Sequence, residues 1–290
     1  MTTDNQAYLA ALANLVGDDD PFAILSATPS RIQALVAGAD RAVLRQKPRP
    51  DKWSIAEIIA HLADSELVFG FRLRTIFTVN GTRLQAFDPD AWASAFAYPA
   101  CDAHTSATLF SAMRMGNLRM VRQVDTSLLD NTGTHDEWGT ETARAIIRLE
   151  AGHDRSHLAQ IEAILDSAGG RPVFAPAAQK TEIPAEAADK VDLRIGTIVD
   201  LAPIPGSDRL VKLIVDFGTD KRTVVAGIRE ERADPRVLVG RQALFYYNLP
   251  RKTIRGHLSE AMLCDLGYAD GIQPALLEPE WSVPNGTRAG

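Results

Sequence analysis

The sequence predicts a multidomain α plus β chain: a four-helix bundle joined to a small five-stranded β-barrel. Three observations carry that reading. The length, 290 residues, points to about two domains at roughly 150 residues each. Apolar residues recur at helical spacing up to about residue 169, and in short β-rich runs after residue 189. Between them lies RPVFAPAAQKTEIPAEAADK, with Pro172, Pro176 and Pro184 among alanines, the composition of a semi-stiff linker. The expected division is therefore bundle 1–170, linker 171–188 and barrel 189–290.

The helical elements come first. DPFAILSATPSRIQALVAG carries an apolar stripe through Phe22, Ile24, Leu25, Ile32 and Leu35, with Pro29 as either a break or a first helical turn. Ser54 followed by Glu57 is a capping box, and IAEIIAHLADSELVFGFRLRTIFTV then runs without a proline. Residues 80–102 are punctuated by Asn80-Gly81, Asp88-Pro89 and Tyr98-Pro99, a long second connection. A third helix is expected over about 104–126 and a fourth over about 140–168, stopped by Gly169-Gly170. The strands follow as VDLRIGTIVDL, RLVKLIVDFG, RTVVAGI, QALFYYNL and EAMLCDLGYA. Five strands with no long helix fit a small closed barrel, of which the OB-fold is the commonest nucleic-acid binder.

Composition narrows the function. At 46% hydrophobic and 23% charged the chain sits near the globular average, which excludes disordered, collagen-like and low-complexity classes. Two distant cysteines, Cys101 and Cys264, exclude a disulfide scaffold or a zinc ribbon and suit a reducing cytoplasm. The acidic start lacks the basic n-region of a signal peptide, and no apolar run approaches the ~18 residues of a membrane span. Net charge is −6, which hides an asymmetry: residues 209–255 hold eleven Lys or Arg against five acids, a local balance of +6. Such a strip can track a phosphate backbone, although alternating charges on exposed strands are the plainer reading of spacing alone. No dinucleotide-type or phosphate-cradling glycine loop and no nucleophile elbow are present.

His153 and His157 are four residues apart, which places both imidazoles on one helix face. His61 lies in the preceding capped helix, and antiparallel packing would let the three converge on one ion with a position open for water or substrate. Spacing alone leaves a metal pair and an ordinary surface pair evenly matched. Asp64 and Asp154 could orient a histidine ligand and Arg72 and Arg155 could clamp a substrate, but all four are read as solvated charges, and His104 and His135 as structural or exposed.

KWSIAEIIAHLADSE followed by GHDRSHLAQIEAIL resembles the DinB/YfiT-like superfamily, over roughly residues 15–169. FDPDAW at 87–92 and THDEWGT at 134–140 add softer matches. The resemblance implies a dimeric four-helix bundle with Ni, Zn or Fe(II) on His61, His153 and His157, ligands that suit all three metals. It also implies chemistry on small thiols, since some relatives are metal-dependent thiol transferases and isomerases.

The second half resembles the tRNA-binding domain, which occurs free in bacteria and appended to some aminoacyl-tRNA synthetases. Carrying segments are VDLRIGTI at 191–198, VVAGI at 224–228, NLPRKTIRGHLSEAM at 248–262 and VPNGT at 283–287. Ala261 stands where most relatives have Gly, and Ile204-Pro205-Gly206 replaces the usual His-Pro-x-Ala. The resemblance implies that Arg251, Lys252 and Arg255 neutralise phosphates of tRNA or another structured RNA, with Arg222 and Lys212 as peripheral steering charges. Asn248 and Ser259 hold the loop or bond the sugar-phosphate, and Met262 and Leu263 are expected in the core. One of Tyr246 and Tyr247 can stack a base. PNGT and the DFGT turn are also similar to the export-linked CsaA branch, which implies an unfolded peptide as the alternative ligand. Both resemblances imply a homodimer. Three functions stay open: an RNA binder carrying a metal-binding bundle, a metal-dependent transferase or hydrolase, and a peptide-binding chaperone.

Overall fold

A computed structural model of the chain describes residues 3–169, 177–229, 232, 234–270 and 274–289. The chain divides into two compact units, Met1–Val173 and Phe174–Gly290.

In the first unit, four long helices form the bundle: α2 (Pro21–Ala37), α4 (Ile55–Thr78), α6 (Ala103–Gln123) and α7 (Ala143–Ser167). A further helix, α1 (Thr3–Val16), precedes the expected start and packs along α7. Gly152 permits that approach, because a Cβ there would collide with the Leu12 carbonyl oxygen. The capping box at the head of α4 forms in both directions: Glu57 N–H donates to Ser54 Oγ and Ser54 N–H to Glu57 Oε2. Pro29 neither breaks nor starts a helix but lies inside α2. A proline deprives the carbonyl four residues earlier of its donor, and here Arg114 Nη1 donates to that Leu25 oxygen at 3.1 Å. The final helix starts three residues later than Thr140, because residues 139–142 pair as a strand and Thr142 caps the helix by accepting from Ala145 N–H.

The connection between α4 and α6 is more structured than a loop. It holds β1 (Thr82–Leu84) and the short α5 (Pro89–Ala95), whose first turn Asp88 caps. With α3 (Arg41–Arg45) in place after α2, β1 pairs with β2 (Thr132–His135), which pairs with β3 (Gly139–Thr142). This small sheet joins both linking segments and seats Leu84 in a core with Phe69, Leu73, Ile76 and Phe77, while Ile55, Ile59, Leu62, Phe110 and Ile161 form the other core of the bundle.

In the second unit, a turn of helix, α8 (Ala185–Ala188), precedes a curled antiparallel half-barrel. Its strands are β4 (Leu193–Pro203), β5 (Val211–Asp216), β6 (Lys221–Ala226) and β7 (Gln242–Tyr246). Next comes a hairpin of β8 (Lys252–Ile254) and β9 (His257–Ser259), then β10 (Met262–Leu263). Three short strands complete the unit, β11 (Asp265–Leu266), β12 (Ala275–Leu276) and β13 (Arg288–Ala289). The main order is β10-β7-β4-β5-β6, with β13 also on β4. The five expected strands are therefore present. Among the described residues no ladder joins the end strands; the gap is bridged by Glu260 N–H on Thr223 O at 2.8 Å and Val225 N–H on Ser259 Oγ at 3.0 Å. Strict alternation along β5 sends Val211, Leu213 and Val215 into a core with Phe217 and Phe245.

Candidate metal centre and nucleic-acid interface

His61 extends from the second turn of α4, and His153 and His157 from successive turns of α7. His153 Nε2 lies 3.1 Å from His61 Nε2 and 3.0 Å from His157 Nε2. Gln160 Oε1 accepts from His157 Nδ1 at 3.1 Å, which places that proton on Nδ1 and leaves the Nε2 lone pair facing the other rings. Trp53 braces His61, ring centroids 4.9 Å apart. Burial, then the charge of neighbouring histidines, pushes all three pKa values down to about 3, so the cluster is neutral at pH 7.

Neutral imidazoles with converging lone pairs are what a divalent ion requires, at about 2.0–2.1 Å from each nitrogen. The donor set fits Ni, Zn or Fe(II) alike. The nitrogens face a cleft of about 450 Å³ that Trp53, Phe87, Trp138, Arg72 and Glu150 also line. That open side is the arrangement of a reactive ion rather than a structural one.

Behind the histidines lies a buried ionic cluster that the sequence reading missed. Arg114, fully buried on α6, donates Nε to Glu66 at 2.7 Å and forks onto Asp154 at 2.6 and 3.0 Å. Glu150 stands 3.6 Å from the same guanidinium. Asn117 bonds both the side chain and the carbonyl of Glu66, lying where Gly70 has no Cβ to obstruct it. Asp154 is thus not a solvated charge: it is completely buried and fixes α7 next to His153. Arg72 is likewise buried, over Trp138 and bonded to the Gln85 carbonyl, because the connection after α4 folds across it. Arg155 does reach the surface, tied to Asp19 and the end of α1. His135 is buried and stacked on Trp138. Burial, then the charges of Glu66 and Asp154, raises Glu150 well above the usual carboxylate range.

The sequence contained a signal for Arg114 and Glu66. Each shares an apolar helical stripe, Arg114 with Phe110, Leu118 and Val121, and Glu66 with Leu62, Phe69 and Leu73. A charge on such a stripe is buried with a partner.

On the half-barrel, Arg251, Lys252 and Arg255 are all exposed, on or beside the β8–β9 hairpin. Its tip is a two-residue turn in which Arg255 has φ 49 and Gly256 φ 79, with Ile254 facing His257. Such turns select Asn-Gly, and an arginine held in the left-handed region is strained. Arg251 also stands 3.4 Å from Glu260. Lys212 projects from the half-exposed face of β5. Arg222 is occupied within the fold: its guanidinium lies 3.3 Å from the Tyr247 ring centroid and bonds Asp220 and the Tyr247 carbonyl. Asn248 holds the loop, donating to Lys190 O and accepting from Asp192 N–H. Buried Ser259 accepts from Val225 N–H and donates to Ala261 O. Met262 is 48% exposed rather than core, since it lies on the face of β10 opposite that of buried Leu263. Tyr247 packs on Phe217, which leaves Tyr246 as the more available ring, at the wall of a groove of about 410 Å³.

Comparison with known proteins agrees with both halves. Residues 24–161 match the DinB superfamily, and residues 193–288 match the tRNA binding domain. The chain joins a DinB-superfamily domain to a tRNA-binding domain. Among curated proteins, the methionine–tRNA ligase of Parabacteroides distasonis is 30% identical over 153 residues, 52% of this chain and 22% of that protein. The ligase of Nitrosomonas europaea is 39% identical over 99 residues, 34% of this chain and 14% of that protein. The chain thus spans under a quarter of the length of these relatives. Among solved structures, a MetRS-related protein from Pyrococcus horikoshii is 31% identical, covering 38% of this chain and all of that one, with TM-score 0.36. YfiT from Bacillus subtilis, a four-helix bundle, is 16% identical, covering 59% of this chain and 91% of that one, with TM-score 0.49. No described helix is long and apolar enough to cross a membrane.

Proposed function

We propose that this chain is a cytoplasmic tRNA- or structured-RNA-binding protein whose helical domain holds a divalent metal ion on His61, His153 and His157. The RNA half rests on the β8–β9 hairpin, where three exposed cations cluster and one of them occupies a backbone conformation that costs stability. Arg251, Lys252 and Arg255 carry the phosphate contacts, and Lys212 adds a peripheral charge. Arg222 acts indirectly, by fixing Tyr247 and the strand that leads into the hairpin. The metal half rests on three neutral imidazole nitrogens, two of them within 3.1 Å of the third. An ion held there supplies a Lewis acid able to lower the pKa of a bound water or thiol.

The open cleft beside the histidines supports a second reading, a metal-dependent transferase or hydrolase acting on a small thiol or a hydrolysable substrate. Exposed Leu249, Leu258 and Met262 on the half-barrel are consistent with a homodimer, and sedimentation of the full chain tests it.

One preparation tests both halves. Native protein is expected to carry stoichiometric metal that His61→Ala or His157→Ala loses; no metal, and no uptake on titration, overturns the metal half. Arg251→Ala with Lys252→Ala is expected to weaken tRNA binding and lower its salt slope by about two phosphate contacts. Unchanged tRNA binding, or preference for an unfolded polypeptide over tRNA, overturns the RNA half.

A further inference from the structure

The cleft in front of the histidines contains a buried guanidinium and a buried carboxyl group whose hydrogen bonding is incomplete. Arg72 comes from α4 and is only 7% exposed. Its guanidinium lies 4.9 Å from the Trp138 ring centroid and 5.9 Å from that of Phe87. Nη2 donates to the Gln85 carbonyl at 2.8 Å, while Nε has no hydrogen-bond partner. Glu150 comes from α7, one turn before His153, with a side chain 14% exposed. Its Oε1 is buried and accepts no hydrogen bond. The nearest cation, Arg114, stands 3.6 Å away and already serves Glu66 and Asp154.

Arg72 and Glu150 feel each other's charge, yet no ion pair within 4.0 Å joins them among the described residues. Leaving a donor of a buried guanidinium and an acceptor of a buried carboxyl group unbonded is costly. Around Arg114 the count is also unbalanced, with the carboxylates of Glu66, Asp154 and Glu150 gathered on one guanidinium. The cluster thus has room for a further positive charge at Glu150, while Arg72 has unused donor capacity for an anion. Both walls belong to the cleft that the three histidines line, and the Trp138 and Phe87 rings complete it.

We propose that this end of the cleft binds a small zwitterion of the amino-acid type, its carboxylate on Arg72 and its ammonium on Glu150. The rest of the molecule then extends along the aromatic wall toward His61, His153 and His157. The proposal rests on the thiol reading above only for that far end, where the sulfur of an aminothiol would face the imidazoles. The charged end makes its contacts with or without an ion.

Four thiols separate the contributions: L-cysteine with both charges, cysteamine with the ammonium alone, 3-mercaptopropionate with the carboxylate alone, and 2-mercaptoethanol with neither. Their binding to the full chain at pH 7 is measured by calorimetry and by quenching of tryptophan fluorescence, with the metal content of each sample determined. L-cysteine is expected to bind roughly tenfold to a hundredfold more tightly than either singly charged thiol. Arg72→Met should erase its advantage over cysteamine, and Glu150→Gln its advantage over 3-mercaptopropionate. The wild-type ranking needs no variant, so a misfolded substitution does not spoil the test. Equal binding of the four thiols, no binding of any, or a ranking that both substitutions leave intact overturns the proposal. Protein that takes up no metal on titration yet ranks the ligands by charge overturns the metal reading alone; metal-loaded protein that ranks nothing overturns the zwitterion site alone.

Discussion

The two units place their functional groups in opposite environments. In the bundle, His61 and His153 are 92 residues apart in the chain and meet in a dehydrated interior, with burial holding all three imidazoles near pKa 3. In the half-barrel, Arg251, Lys252 and Arg255 lie within five consecutive positions on an exposed hairpin. The difference follows from the ligands each surface suits. A small ion must be stripped of water and surrounded by lone pairs, so its site is bought with tertiary structure. A nucleic-acid backbone is long and hydrated, so local charge on a projecting turn suffices.

That contrast predicts a graded set of effects. The largest belongs to Arg114→Met, which strands Glu66, Asp154 and Glu150 in the core and leaves the Leu25 carbonyl beside Pro29 without its donor. A loss of about 3–5 kcal/mol is expected from breaking such a cluster. Urea unfolding measures it, and an unchanged midpoint would show that the network does not hold the helices together.

Next is acid sensitivity. The unfolded histidines bind protons below about pH 6.5, whereas the folded ones stay neutral down to about pH 3. Stability is therefore complete above about pH 6.5 and falls as the pH drops toward 3, by about 2 kcal/mol per histidine at pH 5. Metal-free full chain unfolded at pH 7 and pH 5 tests this, and His157→Leu should reduce the loss. Equal midpoints in wild-type protein at the two pH values would sink the account of the buried cluster.

The smallest effect has the opposite sign. Arg255→Asn relieves the left-handed backbone at the hairpin tip and should stabilise the half-barrel by roughly 1 kcal/mol. The same change should weaken RNA binding. Stabilisation with undiminished binding would show that the strain serves something other than the phosphates.

Much of this was legible in the chain itself. The helices around the capping box, all five strands and the candidate histidines follow from local pattern, because capping, periodicity of 3.6 or 2, and i,i+4 spacing are properties of neighbours in sequence. The connection over residues 80–102 was less legible: α5 and β1 are too short for periodicity to register, and β1 gains its pairing from β2, some fifty residues on. Asp154, Arg72 and Met262 were misplaced for one shared reason. Burial of a single side chain depends on what the rest of the chain lays over it, and polarity alone predicts only the average case.

The sequence by itself thus determined the two-part organisation, the element types, and which residues could carry metal or phosphate chemistry. Only the tertiary structure decided which charges are inside. It placed Arg114 among three carboxylates, set Arg72 and Glu150 across an aromatic cleft, and removed Arg222 from the steering surface by seating it on Tyr247. Periodicity is written over a few residues, whereas the desolvation that makes a charge structural or reactive exists only once distant segments have closed around it.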